Sequence, residues 1–127
     1  MLDDDDPIWE QHTGKERHYG EEWGLGDSAI AERFYALVVR EKARFILNLL
    51  IDHPGKLIAS DEIWSLRTDL FPKGRSSVSG SLSGMSQAWI TSGRRYPFYW
   101  WAGDPTHYAM KLKVADLFRE ARNGIGS

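Results

Sequence analysis

Six cationic side chains, Lys73, Arg75, Arg94, Arg95, Lys111 and Lys113, fall in residues 73–113 with a single acid, Asp104, and the eighteen residues 76–93 carry no charge. An uncharged, serine-rich stretch bracketed by cations suits a polyanion, most naturally nucleic acid. A helix opening at Ser76 or Ser77 would present backbone N–H groups and hydroxyls to a phosphate, assisted by Lys73 and Arg75. Gly80 and Gly84 would let its backbone approach a groove wall, while Ser83 and Gln87 could hydrogen-bond base edges. Arg94 and Arg95, before the next segment, and Lys111 and Lys113, after it, would hold the nucleic-acid backbone on the flanks. Five such contacts predict a log–log salt slope of about −4 to −5. The competing reading is that Gly80 and Gly84 admit a closely packed helix and that the four flanking cations are a solvated rim.

Tyr96, Phe98, Tyr99, Trp100 and Trp101 form an aromatic run that could stack single-stranded bases, although such runs more often fill a core. Alternation assigns Tyr96, Phe98 and Trp100 to one face and Pro97, Tyr99 and Trp101 to the other. An exposed Tyr99 and Trp101 would then be a surface for a protein partner or a second copy of the chain. Catalytic arrangements are not recognisable. His12 and His18 have no cysteine or well-spaced carboxylate to complete a metal site, His53 belongs to a turn, and His107 reads as structural. Asp61 and Glu62 are explained by the first turn of a helix. The expectation is a non-enzyme without metal or cofactor.

The chain of 127 residues is 42% apolar and 27% charged and lacks cysteine, which fits one soluble domain with a real core and no disulfide or thiolate chemistry. No apolar run approaches the roughly 20 residues that span a bilayer. Residues 1–6 lack a basic and apolar secretory pattern, so a cytoplasmic location is expected. Residues 1–28 hold nine acids against two cations, with four glycines, and are expected to be a mobile arm. Trp9 and Trp23 are its candidates for docking on the domain. The arm either solubilises the protein or covers the basic surface as an imitation of a nucleic-acid backbone.

From residue 29 apolar side chains recur at helical spacing as far as residue 52, with a break expected near residues 39–41, where β-branched residues meet charge. Ser28 is the expected N-cap, and Pro54-Gly55 the stop. A very short strand at 56–58 precedes a helix capped by Ser60. A further helix is expected from Ser76 or Ser77 to about Thr91, with Val78, Leu82, Met85 and Trp89 on its core stripe. Residues 96–101 and 107–111 read as a hairpin closed by residues 102–106. A short helix around Val114, Leu117 and Phe118 follows, and residues 123–127 read as a flexible tail.

This order, and the residues that carry it, resemble a winged helix-turn-helix domain over residues 29–122. Residues 43–55 followed by Leu57-Ile58 and Asp61-Glu62-Ile63 resemble its first helix, strand and second helix, and Ser77-Val78-Ser79-Gly80-Ser81-Leu82-Ser83 takes the place of its recognition helix. More narrowly, Arg33-Phe34-Tyr35, His53-Pro54-Gly55, Val78-Ser79-Gly80-Ser81-Leu82, Tyr96-Pro97-Phe98 and Ala115-Asp116-Leu117-Phe118 are similar to a group of small winged-helix-like proteins of actinobacterial type. The link at 70–74 is longer than that of a simple helix-turn-helix, and the recognition segment lacks Arg and Lys. The resemblance implies an α+β fold, mainly helical with a small hairpin, and a transcriptional regulator that binds double-stranded DNA; dimerisation is expected if it reads a specific operator, because a single module of this size buries limited surface on DNA. The alternative is a winged-helix protein-interaction module.

Overall fold

The computed structural model describes residues 1–18 and 20–125 of the chain. Its architecture is α+β: helices packed round one main core, with a small antiparallel sheet on one side. The apolar pattern at 29–52 becomes α1 (Ser28–Leu37) and α2 (Glu41–Asp52). In α2, Ala43, Ile46, Leu47, Leu50 and Ile51 are buried, the spacing of a single helical face. The break falls at residues 38–40, where Val38 leaves helical geometry and is fully buried. Asp27, not Ser28, occupies the N-cap position of α1. Its carboxylate makes no cap bond to α1; it accepts the Gly24 N–H at 2.8 Å and binds Arg94.

The first strand, β1 (Ile58–Ala59), lies slightly later than the expected 56–58 and runs directly into α3 (Ser60–Leu66). Ser60 is the first helical residue and Ala59 the cap position. The helix expected over 76–91 is instead three pieces: α4 (Ser76–Ser81), a 3-10 turn (Leu82–Met85) and α5 (Ser86–Ser92). Serine hydroxyls account for part of this, since Ser81 donates to the Ser77 carbonyl at 2.8 Å and Ser83 to the Gly80 carbonyl at 3.0 Å. Such back-bonding competes with regular helix, and each glycine adds about 1 kcal/mol of cost relative to alanine. The expected stripe nevertheless faces inward: Val78 and Met85 are buried, and Leu82 and Trp89 pack partly buried on the same core.

Strands β2 (Tyr99–Trp101) and β3 (His107–Ala109) are shorter than the sequence pattern suggests, because Tyr96 and Phe98 turn into the main core and Pro97 has no N–H for a ladder. The sheet order is β1-β3-β2, antiparallel throughout, with Tyr108 opposite both Ile58 and Trp100. Helix α6 (Leu112–Ile125) packs across α1 and α2 and continues through residues 123–125, which composition marks as tail. Residues 126 and 127 lie outside the described residues.

The N-terminal segment departs most from expectation. It is not a mobile arm but a strap laid over the sheet and the end of α5. Trp9 and Trp23 are only 2% and 5% exposed. Thr13 pairs with the free edge of β2, its N–H donating to the Trp100 carbonyl at 2.7 Å while its hydroxyl accepts the Ala102 N–H at 2.9 Å. Gly14, at φ +71°, passes so close to the Trp100 ring that a Cβ would overlap it. Charge and glycine content suggested mobility. Two tryptophans, each able to bury 150 Å² or more, outweigh that composition. Trp9, Tyr99 and Ala109, with Trp101 and Ile8 against them, form a second apolar cluster separate from the main core.

Candidate nucleic-acid interface

The eleven residues expected to meet DNA divide among separate places. Lys73, Ser77, Gly80 and Ser83 line one groove of about 620 Å³ between α4 and the N-terminal end of α2. Arg40 and Lys42 stand on its α2 side. Arg40, Lys42 and Lys73 are all exposed and make no ion pair among the described residues. The opposing acid in this groove is Glu41, which binds Arg67 at 3.4 Å. The α4 wall contributes only small uncharged side chains, so a polyanion meets little steric or electrostatic resistance there.

Sequence reading did not select Arg40 and Lys42. A signal was present: cations at a helix N-terminus oppose the helix dipole, so their position at the start of α2 calls for a use outside the helix.

Arg75 belongs elsewhere. It binds Asp61 at 3.3 Å and also Asp104, beside Ser76 in a recess of about 130 Å³. The Ser76 and Ser77 hydroxyls donate to the Lys73 and Gly74 carbonyls, at 3.4 and 2.7 Å. Helix α4 has only six residues, too few for a strong dipole, so the expected phosphate seat at its start is not built. Gln87 lies on α5, exposed, and donates to the Thr91 hydroxyl. Gly84 does not face outward; a Cβ there would stand 3.0 Å from that of Ala43, so this glycine lets the 3-10 turn approach α2. Gly80 has open space in front of it.

The four expected flanking cations are engaged by the strap or stand beside it. Arg94 makes two parallel bonds of 3.0 Å to Asp27 and a third contact with Glu21 at 3.5 Å. Hydrogen bonding from Arg94 and from the Gly24 N–H holds the Asp27 carboxyl below its ordinary pKa. Arg95 pairs with Glu22 at 3.4 Å. The Lys111 ammonium lies 5.7 Å from the Trp9 ring and 5.3 Å from that of Tyr99. Lys113 is exposed, and its backbone N–H, with that of Leu112, donates to the Asp4 carboxylate at 3.0 and 2.7 Å. Arg95, Lys111 and Lys113 share a groove of about 430 Å³ with Asp4, Asp5 and Glu22, so its charge is largely balanced within the chain.

The expected partner surface is likewise occupied. Tyr99 and Trp101 lie on the face opposite the main core, as alternation assigned them, but Trp9 covers both at centroid distances of 5.3 and 5.6 Å. The Trp101 indole N–H donates to the Ile8 carbonyl at 3.1 Å. No cluster of three or more His, Asp or Glu side chains suited to a metal occurs among the described residues, and none of their helices is long and apolar enough to cross a membrane.

Comparison with known families bears on residues 28–125, which match a family model described as a family of unknown function, DUF6416. The chain belongs to that family. The match opens on the first residue of α1 and closes on the last of α6, so the whole helical framework, the sheet and the α2–α4 groove of this DUF6416 member lie inside it. The strap, residues 1–27, lies outside. No curated protein and no solved structure matches the chain.

Proposed function

We propose that this DUF6416 protein is a winged-helix protein that binds duplex DNA through the groove between α2 and α4. The carrying observation is the meeting of three cations without an ion pair among the described residues, Arg40, Lys42 and Lys73, around the small, uncharged wall of Ser77, Gly80 and Ser83. Strand order supports the fold part of this reading, because a winged helix pairs its first short strand with the returning strand of its hairpin, as β1-β3-β2 does. The role assigned is non-enzymatic and cytoplasmic, in transcriptional regulation. Dimerisation would accompany recognition of a specific operator, since a single module of this size covers limited DNA. The alternative protein-interaction reading, through the aromatic hairpin or the glycine-serine helix face, keeps only the second of these surfaces, because Tyr99 and Trp101 are covered by the chain's own Trp9.

The test is fluorescence anisotropy of a labelled generic duplex over a salt series. Three phosphate contacts give a log–log slope near −3, shallower than a set of five would give. Replacing Arg40, Lys42 and Lys73 together by alanine should weaken binding at low salt by at least about tenfold and flatten the slope toward zero. Binding unchanged in this triple variant, or absent in the parent chain at low salt, would refute the proposal.

A further inference from the structure

Helix α4 has a second groove on its other side, toward the hairpin. It measures about 460 Å³, within the range of small-molecule pockets, and is walled by Leu82, Tyr96 and Trp100. The rings of Tyr96 and Trp100 meet nearly edge to face at 5.6 Å. Tyr108 lines this groove and also the adjoining recess beside Arg75, which makes the two spaces neighbours across one phenol.

Tyr108 is the unexplained group. Its side chain is among the largest buried ones, with the residue 1% exposed, while its hydroxyl makes no hydrogen bond within the described residues and is not one of their fully enclosed unpaired atoms, so it borders the open space of the groove. A hydroxyl at a groove surface can exchange water for a ligand's acceptor. Burial alone pushes its pKa up to about 12, so the phenol stays protonated and is a donor in search of an acceptor. Nearby, the half-buried Ser86 hydroxyl also makes no bond among the described residues, and no atom lies within 4 Å of where a Gly80 Cβ would stand.

We infer that the groove between α4 and the hairpin binds a small, uncharged, planar heteroaromatic molecule whose ring nitrogen or carbonyl accepts the Tyr108 hydroxyl. Planarity follows from the aromatic wall, and the acceptor from a phenol that borders the groove and makes no internal hydrogen bond among the described residues. Neutrality follows from charge. The ionised side chain lining the groove is Glu16, and Arg75, in the adjoining recess, is already bound to Asp61 and Asp104. An anionic ligand would therefore meet a carboxylate and no cation among the described lining residues, whereas ring N–H or amino groups would suit Glu16 and the serine oxygens.

The site does not depend on the DNA reading. If that reading holds, the ligand is an effector, because Gly80 and Ser83 line both this groove and the cationic one.

Titration calorimetry of the full chain with adenine and nicotinamide, and with benzoate as the anionic control, tests the inference without any DNA present. At least one of the neutral rings should bind with a dissociation constant near or below about 1 mM, and benzoate should not. Tyr108→Phe should weaken that binding at least about tenfold while leaving the thermal midpoint equal or higher, since no internal hydrogen bond is lost. Gly80→Leu should block the groove. Absence of binding by both neutral rings, or an affinity unaffected by Tyr108→Phe, would overturn it. So would a Tyr108→Phe protein that loses stability but keeps its affinity.

Discussion

Arg94 is held by Asp27 through two parallel hydrogen bonds of 3.0 Å that join residues 67 positions apart. The arginine follows α5, and the aspartate stands at the N-cap position of α1. The pair therefore ties the strap's last turn to the end of α5, and Arg94 works as a latch within the protein. Arg94→Ala should lower the thermal midpoint while leaving the salt slope of DNA binding unchanged. Arg94→Lys should not restore stability, because an ammonium cannot make the paired, planar contact. Thermal denaturation beside anisotropy separates the two effects, and an altered slope with unaltered stability would contradict this role.

Trp9 anchors the strap. Truncation to alanine removes the ring that covers Tyr99 and Trp101 and should cost about 3 kcal/mol or more, at the low end of the range for large aromatic residues. Because this cluster is separate from the main core, residues 1–13 should become sensitive to protease in Trp9→Ala before the helical framework does. Simultaneous digestion of the whole chain would show instead that the two clusters fold as one unit.

Acidification should loosen the same strap. The His18 ring stacks on Tyr99 at 4.5 Å, lies 4.3 Å from His12, and has its nitrogens 2.9 and 3.1 Å from the Phe98 and Gly14 carbonyls. Burial lowers its pKa below the ordinary 6.5, with the carbonyls opposing and the neighbouring His12 and Arg95 assisting. Well above pH 6.5 both docked and released forms are neutral and the group has no effect. As pH falls through 6.5 the released form takes up the proton more readily, so docking weakens until the lowered pKa is passed. The thermal midpoint should thus fall between about pH 7.5 and 5.5, and His18→Gln should lessen that fall. An equal decline in both proteins would place the sensitivity elsewhere.

The two glycines of the serine-rich stretch should respond in opposite senses. Gly80→Ala meets open space and should stabilise by about 0.5–1 kcal/mol. Gly84→Ala places a methyl 3.0 Å from the Ala43 Cβ, a neighbour fixed to α2 that cannot swing away, and should destabilise by about 1 kcal/mol or more. Denaturant titration of the two variants measures both. A stabilising Gly84→Ala would mean that α2 and the 3-10 turn separate easily.

Helices α1 and α2, the break between them to within a residue of the expected 39–41, the two-sided aromatic hairpin and the inward stripe of Val78 and Met85 were legible because each depends on neighbours a few residues away. The subdivision of the 76–92 stretch into two helices and a turn was less legible. Serine back-bonding and glycine propensity weaken a helix without specifying where the chain changes pitch. Of the expected DNA-facing set, Lys73, Ser77, Gly80 and Ser83 share a groove, while Arg94 and Arg95 are held by acids more than sixty residues away. Arg40 and Lys42 enter the groove because α2 packs beside α4, a fact with no local trace beyond their unfavourable place at a helix start.

By itself the sequence determined a mainly helical α+β chain, the faces its helices bury, and the segregation of acidic from basic residues, since all of these follow from side-chain type and short-range period. Tertiary structure alone decided which charges remain available. The strap turns Arg94 and Arg95 inward to Asp27, Glu21 and Glu22, and it seals the Tyr99–Trp101 face with Trp9. Arg40, Lys42 and Lys73 are left without ion pairs among the described residues. The reason is physical: Coulomb attraction and ring packing depend on separation in space, and the separations that matter here join residues far apart in the chain.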